Sequence, residues 1–174
     1  MFLLQMSGFP GSGKSTLAKW IAQSTNAVVI DHDVVKTALL ASLDSDMDPN
    51  RVGGIAYSVE WSLIDFHLSQ GHHVVHDSPC LYDELVDKGT ALAKKHTAKY
   101  KYVECVLENV HEVNKRLTSR QRMVSQIHSI DLPQERFKEV LNRSKKPDDV
   151  ECLRVDTSQP IDEYIGDVLL YLHN

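Results

Sequence analysis

Apolar residues along the chain fall into short unbroken runs, and between the runs they recur at every third or fourth position. That alternation predicts buried strands spaced by amphipathic helices. The runs are Phe2-Leu3-Leu4-Gln5-Met6, Ala27-Val28-Val29-Ile30, His73-Val74-Val75-His76-Asp77, Tyr102 to Leu107, and about Val150 to Val155. Helical spacing follows each. Leu17, Ala18, Ile21 and Ala22 mark the first helix, and Val35, Leu39 and Leu43 the second. A longer helix from Arg51 carries Ile55, Val59, Leu63 and Phe66 on one face, expected to point inward, and stops at Gly71 in the position of a C-cap. Tyr82 to about Lys95 reads as a helix with Leu81, Leu85 and Leu92 inward, and another starts near Val110. Pro133 opens a helix with Phe137, Val140 and Leu141 inward, which ends before Lys146-Pro147. Pro160 opens the last, with Ile161, Ile165, Val168 and Leu172 as its buried stripe and Asp162 and Glu163 suiting its first turn.

Five strands alternating with helices predict an α/β fold with a mostly parallel sheet and helices on both faces. Two stretches break the pattern. Asp44 to Asn50 is a polar, turn-rich break, and Ser119 to Asp131 is polar with weak periodicity, which suits a mobile loop or lid. The expected organisation is one domain over 1–174 with a short basic lid at about 119–133. Ligands of such sheets bind at the C-terminal strand edge, where Asp31, Asp33 and Asp77 fall.

The strongest chemical signal joins the first strand to the first helix. Gly8-Phe9-Pro10-Gly11-Ser12-Gly13-Lys14-Ser15-Thr16 fits a glycine, four free positions, then Gly-Lys-Ser/Thr. Glycines let successive backbone N–H groups turn inward around an anion while the following helix points its positive end at the same place. Such a loop holds a nucleoside triphosphate, with Gly8, Gly11, Ser12, Gly13, Lys14, Ser15 and Thr16 as its cradle. Lys14 would reach the β- and γ-phosphates and Ser15 would hold Mg²⁺. The expected fold is therefore the three-layer P-loop NTPase fold.

Composition changes this picture little. Net charge is −5, with 42% apolar and 25% charged residues, as in a soluble globular protein. No apolar run approaches the length of a membrane span, and Cys80, Cys105 and Cys152 have neither metal-type spacing nor an even count, which suits a reducing cytoplasm. The overall acidity disfavours a broad nucleic-acid surface, but its distribution is uneven. Lys115 to Lys146 holds nine basic residues against three acidic ones. A basic segment within an acidic chain suggests a local phosphate-handling element.

Phosphoryl transfer needs a cradle, a metal, a base near the acceptor hydroxyl and cations over the γ-phosphate. Asp77 is placed to hold Mg²⁺, or else caps the turn at Ser78-Pro79. Asp33 is the candidate base, or the cap of the helix that follows; Asp31 is the weaker candidate. Lys36, on the same face as Asp33, would hold a substrate anion or pair with Asp33. Arg116 and Arg120 are stacked by their spacing of four, one to lie on the adenine and the other to reach the phosphates, with Arg122 as a further lid cation. His67, His72, His73 and His76 lack the spacing of a zinc set, and His76 reads as packed or superficial.

With these pieces, nearly the whole chain resembles the small P-loop kinases grouped with polynucleotide 5′-kinase domains, chloramphenicol phosphotransferase, zeta-type toxin kinases and gluconate-type kinases. The resemblance rests on residues 8–16, the acid after the second strand, the Arg116 and Arg120 pair, and Asp156-Thr157-Ser158 before the last helix. In the polynucleotide branch an Asp followed three residues later by Arg activates and grips the acceptor. Asp33 with Lys36 matches that spacing, but a lysine cannot form the planar bidentate clamp of an arginine. The resemblance implies ATP and Mg²⁺, and transfer to a hydroxyl of a small molecule: a nucleoside, sugar or drug-like alcohol. A 5′-hydroxyl nucleic-acid kinase and an ATP-binding regulatory switch are the alternatives. No Asn-Lys-x-Asp guanine motif occurs.

Overall fold

The structure is a computed structural model that describes residues 1–43, 47–141 and 143–174. Asp44-Ser45-Asp46 of the expected polar break lie outside the described residues. Five strands, β1 (Phe2–Ser7), β2 (Val28–Asp31), β3 (Val74–Asp77), β4 (Lys99–Val106) and β5 (Cys152–Asp156), form one sheet in the order β2-β3-β1-β4-β5. Every pairing is parallel, beyond the mostly parallel sheet expected. Parallel neighbours need crossovers, and helices α1 (Lys14–Thr25), α2 (His32–Ser42), α3 (Pro49–Ser69), α4 (Asp83–Lys95), α5 (Val110–Ser119), α6 (Gln134–Leu141) and α7 (Ile165–His173) lie between or after the strands.

Alternation along β1 divides the core. Leu4 and Met6 face α1 and α7 and pack with Leu17, Ile21, Val168 and Leu172. Leu3 faces the opposite layer, where Trp61, Ile64 and Leu68 of α3 meet Leu85 and Ala93 of α4. A third cluster beneath the glycine-rich loop joins Val113 and Leu117 of α5 to Phe137 of α6, with Phe9 edge-on to Phe137 at 5.1 Å.

The inward face of α3 is not the expected one. Val59, Leu63 and Phe66 are exposed, whereas Val52, Gly53, Ala56, Glu60, Trp61, Ile64 and Leu68 are buried. The buried stripe matches the other in apolar content but is interrupted by Gly53 and by a carboxylate, Glu60, so it reads as the less regular of the two. It wins because Glu60 has two imidazole partners in the core. Gly71 does follow the helix in the left-handed region at φ 81°, beyond the Gln70 cap. Leu81, expected inward, is exposed, since α4 begins only at Asp83. The C-terminal segment is a 3-10 turn over Ile161–Glu163 followed by α7, not one helix, with the break at Tyr164. Between Arg120 and Pro133 there is no helix or strand, as the weak periodicity suggested. Among the described residues no helix is long and apolar enough to cross a membrane.

Candidate active site

A cleft of about 1470 Å³ runs along the C-terminal edge of the sheet. Its floor at one end is the loop between β1 and α1. Gly13 precedes α1 in the left-handed region at φ 89° and gives no side-chain cap, so the first amides of the helix stay free to meet an anion. Gly8, at φ 131°, lies so close to β4 that a Cβ there would stand 2.3 Å from the Cys105 carbonyl oxygen. Lys14 Nζ donates to the carbonyls of Gly8 and Phe9 at 2.9 and 3.2 Å, which folds the lysine over its own loop. Thr157, just past β5, donates its hydroxyl to the Ser12 carbonyl at 2.7 Å and ties the loop to the sheet. Gly11, Gly13, Lys14, Ser15 and Thr16 line the cleft, while Gly8 and Ser12 shape the loop from behind.

Arg116 closes the same end from above. Its guanidinium donates to the Thr157 carbonyl at 2.9 Å and to Glu112 at 3.3 Å, and it stands over Gly13. Arg120 and Arg122 also line the cleft, but are spent on their own segment: Arg120 donates to the Ile127 carbonyl at 3.0 Å and Arg122 to the Gln126 carbonyl at 3.1 Å. Burial lowers the Arg120 pKa, against the raising effect of Asp33. Its Nε is buried without a hydrogen-bond partner.

Three carboxylates stand where β2 and β3 end. Asp77 is 3% exposed, lies close enough to Ser15 to feel its hydroxyl, and has its Oδ2 buried without a hydrogen-bond partner. Burial pushes its pKa up, with Lys14 and Ser15 pulling the other way. An orphaned carboxylate oxygen beside the cradle's serine is the donor set that a hard divalent cation takes, so Ser15 and Asp77 fit Mg²⁺. Asp31 lies opposite Asp77 in the strand register. It is Asp31, not Asp33, that caps α2, accepting from the Asp33 and Val34 amides at 2.8 and 3.4 Å. Burial first, then Asp77 and Asp33, raise the Asp31 carboxyl to about 6.

Asp33 is thereby freed from capping and faces residues 120–133. Its Oδ1 accepts from Ser125 at 3.1 Å and its Oδ2 from Gln126 Nε2 at 2.9 Å. Lys36 does not pair with Asp33; its ammonium lies over Gly53 of α3, on the cleft wall. Tyr57, Trp61 and Tyr82 add an aromatic wall on this side.

Sequence reasoning missed the group behind that wall. Glu60 is fully buried, with Oε1 2.8 Å from His32 Nδ1 and Oε2 2.9 Å from His76 Nε2. Burial raises its pKa, but the two imidazole hydrogen bonds win and leave it below the ordinary value. His76 is therefore a packed core residue. Its trace in the sequence is that Glu60, unlike the other acid of α3, Asp65, falls at helical spacing between Ala56 and Ile64. The other histidines do separate work, His73 stacking on Phe2 and His67 touching His72.

The strand order, the loop and the carboxylates at the strand ends together define a P-loop kinase fold. The model of an AAA domain family matches residues 3–147, and the chain belongs to that family. Solved structures share the fold, and three of them illustrate it. A candidate kinase of Chloroflexus aurantiacus superposes with a TM-score of 0.76 at 20% identity, covering 98% of both chains. The APS kinase of Mycobacterium tuberculosis, in complex with AMPPNP and APS, gives 0.67 at 19%, covering 99% of this chain and 98% of that one. A gluconokinase of Sinorhizobium meliloti gives 0.58 at 20%, covering 99% and 91%. No curated protein matches the sequence.

Proposed function

We propose that the protein is a kinase that transfers the γ-phosphoryl group of ATP to a hydroxyl of a small molecule. The observation that carries this reading is the position of Asp33. It stands on the wall of the same cleft that the phosphate cradle and Arg116 line, released from capping by Asp31. Lys14 and the α1 amides hold the phosphates, and Arg116 covers the base. Ser15 and Asp77 hold Mg²⁺, which supplies charge neutralisation on the phosphate oxygens. Asp33 accepts the proton of the acceptor hydroxyl as its oxygen bonds phosphorus and the bond to ADP breaks. Arg120 and Arg122 meet the transition-state charge when residues 119–133 act as a lid and exchange their own carbonyls for phosphate oxygens. Lys36 faces the acceptor.

A screen of nucleosides, sugars and drug-like alcohols with radiolabelled ATP tests this directly. Asp33→Asn should keep ATP binding and lose about 10²–10⁴-fold in transfer. Retained phosphorylation of the true acceptor would remove Asp33 from the base role. Hydrolysis that no hydroxyl compound stimulates would favour a regulatory switch.

A further inference from the structure

The buried polar chain behind the cleft links every carboxylate-bearing segment of the site. Gln5 of β1 donates through Nε2 to the Met6 carbonyl at 2.7 Å and to Ser78 at 3.0 Å. Because a carbonyl only accepts, the amide orientation is fixed and its Oε1 faces His76 Nδ1, at 2.9 Å. His76 Nδ1 therefore carries a hydrogen. On the other edge of the ring Nε2 meets Glu60, and Glu60 passes on to His32, whose ring stacks on Tyr57 with centroids 4.1 Å apart. Trp61, edge-on to His76 at 4.8 Å, closes the surround.

His32 lies between Asp31 and Asp33, and His76 immediately precedes Asp77. One carboxylate thus grips the two strand ends that carry the acceptor-side and metal-side acids. Those ends need a grip, because the neighbouring carboxylates Asp31, Asp33 and Asp77 repel one another. A fully buried carboxylate is expensive to desolvate, and an apolar residue would satisfy simple packing at least as well. Its two imidazole bonds make geometric sense if spacing is what they secure.

We propose that Glu60 is a positioning residue: its two imidazole hydrogen bonds fix Asp33 relative to Asp77, and so set the alignment of acceptor and phosphate. The inference rests on the kinase reading for the roles of those two acids. It makes no use of a charge on Glu60, and that separates it from a purely electrostatic role. In E60Q the amide oxygen can accept from His32 Nδ1 while the amide N–H donates to His76 Nε2, so both links survive without the charge. In E60L the shape is kept and both links are lost, leaving two buried imidazole nitrogens unpaired.

The test uses MgATP as the probe and water as the acceptor, measuring kcat and KM for basal hydrolysis beside the thermal midpoint. E60L should lose about 100-fold in kcat with KM for MgATP within a factor of about three, since a displaced reacting group costs rate far more than binding. E60Q should recover to within about tenfold of the native kcat. H32F, which keeps a ring against Tyr57 and cuts only the link to the start of α2, gives the same readout if E60L does not fold; its kcat should fall with KM preserved. A folded E60L or H32F with native kcat, an E60Q as slow as E60L, or a loss confined to KM would overturn the proposal. Failure to find any phosphorylated hydroxyl compound would instead overturn the acceptor reading, and these ratios would stand apart from it.

Discussion

At the proposed phosphate end of the cleft the working groups are backbone amides and one lysine from a single loop pinned by Thr157, with Arg116 over them. At the acceptor end they are carboxylates and aromatic rings brought by β2, β3, α2, α3 and residues 120–133, with Glu60 behind them. Backbone amides do not titrate and have no rotamers, so the first end depends on close approach and tolerates no extra atoms. Side-chain acids respond to burial and to one another. The second end therefore depends on charge, pH and contacts far apart in the chain. Substitutions should separate the two ends by the kind of damage they cause.

Gly8→Val should do the most. Its Cβ would fall 2.3 Å from the Cys105 carbonyl oxygen, a backbone atom of the central sheet, and its φ of 131° is strained for any side chain. A loss of about 3 kcal/mol or more is expected in urea unfolding. A native midpoint would mean that backbone approach does not limit this end. Lys14→Ala removes only a charge and its donors. It should fold normally and lose on the order of 10²–10³-fold in kcat for ATP turnover. A variant that unfolds would show the lysine to be a structural brace through Gly8 and Phe9 instead.

The same division decides what could be read from the sequence. The cradle is contiguous and its chemistry is local, so Gly8 to Thr16 specified the loop and the start of α1, on which the proposed phosphate site rests. The strand ends were equally legible, since Asp31, Asp33 and Asp77 follow unbroken apolar runs. The face of α3 was not. Helical periodicity offers two stripes of similar apolar content, and the one free of a carboxylate points to solvent, because Glu60 is made compatible with the core by His32 and His76 from other elements. Nor could spacing tell which acid caps α2 or that Ser125 and Gln126 rest on Asp33, contacts that span about ninety positions. Paired substitutions measure the point. Ile64→Ala should cost about 2–5 kcal/mol and Phe66→Ala within about 0.5 kcal/mol in urea unfolding. Equal losses would return the expected stripe to the core.

The smallest effect isolates charge at the acceptor end. The Asp31 carboxyl in the folded protein is raised to about 6 from an ordinary 3.8 by burial and by Asp77 and Asp33. Between those two values the native state holds a proton that the unfolded chain has released, so this group favours unfolding increasingly as pH rises through that window. Its destabilisation is absent below pH 4 and complete above pH 6. Asp31→Asn keeps the cap, since asparagine serves as well at that position, and removes the charge. A two-unit shift corresponds to about 3 kcal/mol, which the partial exposure of the group reduces to roughly 1–2 kcal/mol. Urea midpoints without divalent cations should therefore place Asp31→Asn above the native protein at pH 7 and level with it at pH 4, because a bound cation would neutralise the same repulsion. An advantage of equal size at both pH values would mean that the substitution acts through packing, and that repulsion among the three acids is not what distinguishes this end of the cleft from the cradle.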